Sequence, residues 1–102
     1  MAAEEIPESI RAQAAEQGGA TYAAPDGGAY LCITTPAGER VFVNNCPHRR
    51  LPLDRRGRLQ FSGEQRLLVC PNHGAKFDPE TGRCVSGPCF GKYLQRVPDF
   101  ER

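Results

Sequence analysis

Two stretches hold the residues that could do chemistry. In NNCPHRRLPLD, residues 44–54, and again in LVCPNHGAKFD, residues 68–78, a cysteine is followed by proline and then histidine. His48 and His73 are the only histidines in the chain; one residue separates Cys46 from His48, and two separate Cys70 from His73. Thiolate and imidazole are the side chains that soft and borderline metals prefer, so Cys46, His48, Cys70 and His73 form a four-ligand set. A tetrahedral zinc site in a structural or interaction domain is one reading of such a set. Zinc modules typically pair Cys with Cys and His with His, whereas here each stretch brings one of each, with 21 residues between His48 and Cys70. That mixed pairing suits a binuclear centre to which each loop contributes on both metals, Cys46 and Cys70 on one iron and His48 and His73 on the other.

Cys-x-His followed by Cys-x-x-His, in the contexts CPHRRLPLD and CPNHGAKFDPETG and followed by SGPCFG, resembles the Rieske family. The resemblance spans about residues 20–98. It is most similar to the small soluble Rieske ferredoxin-like proteins of bacteria, some of which carry a similar CVxGPC segment. It implies one 2Fe-2S cluster held by Cys46, His48, Cys70 and His73, and makes residues 84–91 the proline loop that shields it. Two ferric ions, two sulfides and two thiolates sum to zero charge, so an electron is added more easily than to a four-thiolate cluster. Rieske potentials accordingly span roughly −150 to +300 mV, against roughly −400 mV for plant-type clusters. Reduction raises the proton affinity of the ligating imidazoles, which lets electron uptake couple to protonation at His48 and His73. In high-potential respiratory members the second loop supplies hydroxyl donors and a loop-bridging cysteine. Asn72, Ala75 and Phe77 stand at those positions here, with Leu51 where the first loop would supply the partner cysteine. A potential in the lower part of the range is expected. The implied role is a ferredoxin carrying one electron from a reductase to an acceptor such as an oxygenase; a redox-sensing module is the alternative.

Elements must position these loops. A chain of 102 residues with 39% hydrophobic and 25% charged residues fits one globular domain, and its net charge of +1 marks no nucleic-acid or membrane partner. Residues 6–17 read as an amphipathic helix, with Pro7 in the first turn, Glu4, Glu5 and Glu8 at the positive end, an Ile6, Ile10 and Ala14 stripe, and a Gly18-Gly19 stop. From residue 20 the period becomes that of strands. ATYAA and AYLCITT flank the hairpin signal PDGG, PAGE turns the chain back into ERVFVNN, and EQRLLVC, AKFD, RCV and KYLQRVP follow. The expected fold is all-β, a small antiparallel sandwich or barrel of Rieske type with a two-loop cluster-binding subdomain. Residues 1–19 form its helical extension and 20–102 the domain. Rieske domains commonly add a further turn and strand after the equivalent of YLQRVP, so the helix is expected to cover an open edge.

No apolar run reaches the length of a membrane span, and the acidic N-terminus MAAEEIPESIRAQ is unlike a signal peptide, so a reducing, cytoplasmic setting is expected. There, an odd count of five cysteines reads as ligands and buried thiols rather than a disulfide framework. Cys32 is expected in the core, and Cys84 and Cys89 as free thiols under the proline loop. Arg49, Arg50, Arg55, Arg56 and Arg58 read either as a basic collar for an acidic redox partner or as a solvated loop with no specific role. No aromatic residues interleave with these arginines, which argues against nucleic acid. With both histidines spent on the cluster no nucleophile keeps a histidine base, and no ligands are left for a catalytic iron, so an electron carrier is expected rather than an enzyme.

Overall fold

The computed structural model describes residues 6–47, 50–64 and 66–101; Glu4, Glu5, His48 and Arg49 lie outside the described residues. Helix α1 (Glu8–Gln17) opens after Pro7, whose fixed φ suits the residue before a helix, and closes where the Gly18 N–H donates to the Ala14 carbonyl at 2.7 Å. Strands β1 (Gly19–Ala23), β2 (Ala29–Thr35) and β3 (Gly38–Val43) follow as the expected antiparallel meander, and β4 (Gln60–Ser62), β5 (Leu67–Val69), β6 (Lys76–Phe77) and β7 (Cys84–Ser86) form a second one. β4 adds a strand that the sequence pattern did not mark. Among the described residues the strands make two open sheets, in the orders β1-β2-β3 and β4-β5-β6-β7, rather than a closed barrel.

Alternation along β2 and β3 divides the interior in two. Leu31 pairs with Phe42 on one face of the first sheet, and Cys32 pairs with Val41 and Ala20 on the other. The first face meets Leu68, Phe77 and Cys84 of the second sheet, and this inter-sheet core also holds Cys46, Cys70, Ala75 and Cys89. The second face is covered by Ala14 of α1 and by Ile6 just before it, with Tyr22, Tyr30 and Phe100 packed around them. The helix thus covers a sheet face, not an edge. Its stripe is as the sequence implies, with Ile6 and Ala14 buried, and Arg11 is drawn inside with them. Buried at 7% exposure, the Arg11 guanidinium pairs with Glu39 on β3 and donates to the carbonyls of Ile6 and Phe100, so one side chain fastens helix, sheet and C-terminal segment together.

The open edge of β3 is met by the chain's own end. Val43 N–H donates to Gln95 O at 2.8 Å and Val97 N–H to Val41 O at 2.8 Å, so KYLQRVP contributes isolated bridges rather than a continuous strand. Pro98 then starts a single 3-10 turn, Pro98–Phe100, and the Glu101 carboxylate accepts the Val41 N–H at 2.9 Å.

Candidate metal centre

The two Cys-Pro loops share one backbone frame. Cys46 N–H donates to Leu51 O at 2.8 Å and Arg50 N–H to Cys46 O at 2.6 Å; in the second loop Cys70 N–H donates to Ala75 O at 2.7 Å and Gly74 N–H to Cys70 O at 3.0 Å. Each loop is therefore a six-residue turn from Cys46 to Leu51 and from Cys70 to Ala75, with its fifth residue left-handed, Arg50 at φ 56° and Gly74 at φ 74°. A glycine meets that requirement without strain; the first loop meets it with an arginine, which conceals the likeness in the sequence.

The frame turns both cysteines inward. Cys46 is 3% exposed and Cys70 1% exposed, in the same core cluster, whereas His73 lies in an exposed stretch of the second loop. His48, the fourth residue of the set, lies outside the described residues. Among the described residues no group of three or more His, Cys, Asp and Glu side chains could hold a metal ion. A binuclear centre with two protein donors on each metal asks for no such group, and two buried thiols with an imidazole on the outer side fit it by donor chemistry.

Side chains brace the loops. Asn44 at the end of β3 donates to Asp54 Oδ1 at 2.9 Å and accepts the Leu53 N–H at 2.7 Å, and Asp54 Oδ2 accepts the Gly57 N–H at 2.9 Å. Among the described residues, side chains also reach from loop to loop. Arg55 donates to Pro71 O at 3.2 Å, and Asn72 Nδ2 lies 3.2 Å from Pro52 O and 3.4 Å from Cys70 Sγ. Asn72 stands at one of the positions where the respiratory pattern is missing, and the sequence reads there as a loss; the structure puts an amide donor in its place.

The SGPCFG loop closes over this region through a backbone contact that only glycine permits. A Cβ on Gly87, at φ 105°, would stand 2.7 Å from Ala75 Cα in the second loop. Beneath it Cys89 donates its S–H to Cys84 Sγ at 3.1 Å, and Cys84 donates to Ser86 O at 3.2 Å. None of the five cysteines is in a disulfide, and all are buried. Burial pushes the Cys89 thiol up to about 12, with the hydrogen bond to Cys84 and the neighbouring Cys46 acting in the same direction. Cys32 is core, as expected, and burial likewise raises it to about 12, reinforced by Glu39 and opposed by Arg11.

Around the loops the surface is basic and partly apolar. Arg50, Arg55, Arg56 and Arg58 are exposed, and so are Leu51 at 39% and Phe90 at 63%. Among the described residues no helix is long and apolar enough to cross a membrane.

Comparison with curated proteins and with solved structures finds no significant match in either. Comparison with family models finds one, the Rieske 2Fe-2S domain, over residues 8–101. Rieske domains bind a 2Fe-2S cluster and transfer electrons to redox partners, which decides for iron and sulfide over the zinc that the spacing alone allowed. With two Cys-Pro loops, one joining the two antiparallel sheets and one within the second, and a family match across nearly its whole length, the chain belongs to the Rieske 2Fe-2S family.

Proposed function

We propose that Cys46 and Cys70 bind one iron of the cluster and His48 and His73 the other, and that the protein is a ferredoxin passing single electrons from a reductase to an acceptor such as an oxygenase. The observation that carries this reading is the shared loop frame, which buries the two sulfurs together while leaving the His73 side of the second loop exposed. When bound, the cluster supplies a one-electron couple. The chain's residues do the rest: the core keeps water from the thiolate side, and the exposed His73 stretch of the second loop faces outward, where a partner can approach.

The docking surface takes in the exposed Leu51 and Phe90 and the exposed Arg50, Arg55, Arg56 and Arg58, a composition that suits an acidic partner with some apolar surface. The protein performs no substrate chemistry of its own and works in the reducing cytoplasm. Its potential falls in the lower part of the Rieske range, because no hydroxyl donor stands at Ala75 or Phe77; a redox titration giving a value near the positive limit overturns that placement.

The ligand assignment is tested on anaerobically purified protein by iron and acid-labile sulfide assays with the visible spectrum. Cys46→Ser, Cys70→Ser, His48→Ala and His73→Ala should each abolish the cluster spectrum, and Cys84→Ala should keep it. Retention of a wild-type spectrum by any of the first four rejects that ligand. The carrier role is tested by turnover: a reductase must reduce the protein, and an oxygenase reoxidise it, at catalytic rates, which a sensor would not sustain.

A further inference from the structure

Asn72 occupies an unusual position, between a loop it does not belong to and a sulfur two residues before it. Its amide nitrogen carries two hydrogens, and two acceptors face it, Pro52 O at 3.2 Å and Cys70 Sγ at 3.4 Å. A carbonyl oxygen only accepts, and so does the sulfur of a cysteine that ligates a metal, so in the loaded protein Nδ2 has an acceptor for each of its two hydrogens. The bond to sulfur also lies on the second loop's own frame, where the Cys70 N–H and carbonyl are already engaged by Ala75 and Gly74, so the sulfur is held still relative to its donor.

We propose that Asn72 is a positioning residue that sets the reduction potential of the centre, by donating to the Cys70 sulfur while anchored on the first loop at Pro52. The proposal rests on Cys70 being a ligand. An added electron places negative charge partly on the ligand sulfurs, and a donor to such a sulfur is worth more the more negative it becomes. Asn72 therefore favours the reduced state and raises the potential above what the same loops would give without it. The anchoring at Pro52 fixes the distance, so the effect does not depend on a mobile side chain finding its acceptor. The same contact ties loop to loop without a disulfide, at the position where the respiratory pattern has its bridging cysteine.

Because Asn72 is exposed, water competes for both its acceptors and the effect has the size of one solvent-competed hydrogen bond. At a fixed ambient potential, Asn72→Leu should lower the ratio of reduced to oxidised protein about three- to tenfold. For a one-electron couple that is a fall of about 30 to 60 mV. Asn72→Asp, of nearly the same shape but carrying no N–H and a negative charge, should lower it at least as far, and reads the effect if the leucine variant does not load its cluster. Arg55→Ala removes another loop-to-loop contact, the one to Pro71 O, without touching a sulfur. Measured in 0.5 M salt, where the loss of an exposed charge is screened, it should leave the potential within twofold of the wild-type ratio.

The second readout is resonance Raman spectroscopy in H2O and D2O. The iron–sulfur(cysteine) stretches of the wild type should shift on deuteration, and that shift should shrink in both Asn72 variants and persist in Arg55→Ala. An unchanged potential in a cluster-loaded Asn72 variant overturns the proposal, as does an equal fall in Arg55→Ala, which would mean that loop looseness and not the donor sets the value. The underlying assignment fails separately, if Cys70→Ser keeps the wild-type spectrum and its iron and sulfide.

Discussion

Replacing Gly87 by Ala should pry the SGPCFG loop away from the second Cys-Pro loop. The new Cβ would stand 2.7 Å from Ala75 Cα and 3.2 Å from Ala75 Cβ, whereas carbon atoms settle at about 3.5 to 4.0 Å, so the loop must withdraw by roughly 0.8 Å or more. The nearest atom belongs to the backbone of a hydrogen-bonded turn and has no rotamer to escape into. Overpacking of this kind costs about 1–3 kcal/mol. A side chain at φ 105° adds backbone strain of about 1–3 kcal/mol. Gly91 provides the control: it lies on the same loop at φ 87°, with nothing within 4 Å of its would-be Cβ, so Gly91→Ala carries the strain without the collision. The assay is the rate at which a strong chelator bleaches the visible absorption of the loaded protein, which tracks local opening of the loop over the centre. With 1.4 kcal/mol equal to a factor of ten, Gly87→Ala should bleach roughly tenfold faster than Gly91→Ala, and faster still than wild type. Equal rates for the two variants, within twofold, would show that the Gly87–Ala75 contact does not hold the loop shut.

Two further predictions concern the helix side of the molecule. Arg11→Ala withdraws one buried guanidinium from Glu39, Ile6 O and Phe100 O, and loss of one partner of such a buried pair costs about 3 kcal/mol. Thermal unfolding should fall by about 10 °C or more, while the visible spectrum at 20 °C stays intact because the two interior clusters are distinct; a bleached variant would contradict that separation. Glu101 links pH to the closure of the β3 edge. Burial pushes its carboxyl up, but the Arg96 hydrogen bond, the Val41 N–H and the charges of Arg96 and Arg40 outweigh this and hold it below the ordinary value of 4.5. A depressed folded-state value contributes stability above the unfolded value and loses it as pH falls towards the folded one. Wild type should therefore melt higher than Glu101→Gln at pH 7, and the gap should begin to close as pH falls below about 4.5 and vanish below the lowered folded-state value; a gap that persists in strong acid would mean that the carboxylate charge is not what holds the edge.

Much of the architecture was legible because local signals and tertiary packing agree. PDGG and PAGE are turn sequences between alternating strands, and the first meander follows them closely. Helix α1 ends at the glycine pair and starts at Glu8, two residues later than expected, so that of the expected stripe Ala14 is buried from the helix and Ile6 from the residues before it. β4 escaped notice because QFS is three residues long, too short to show a period, and exists only by pairing with β5. KYLQRVP has strand composition but sits beside β3 and β7 as bridges, since left-handed Gly91 before it and the Pro98 turn at its end bend the chain at either side. At the site, ligand chemistry was visible in residue types, but the equivalence of the two loops was not. The histidine offsets differ, and Arg50 holds a left-handed position where its counterpart is Gly74. Asn72 was read as the lack of a cysteine because a donor's value lies in what it faces, and that is set by the other loop.

The shared frame of the two loops also bears on how such a site could be redesigned. Loop length and ligand offset are separate variables here: six residues close both turns, while the histidine is written at the third position of one and the fourth of the other. A protein engineer can thus treat each turn as closed by the same backbone hydrogen bonds and move or exchange the imidazole within it by point substitution, with no insertion or deletion. The choice of donor at each position becomes an editable inscription on a backbone that need not be rebuilt.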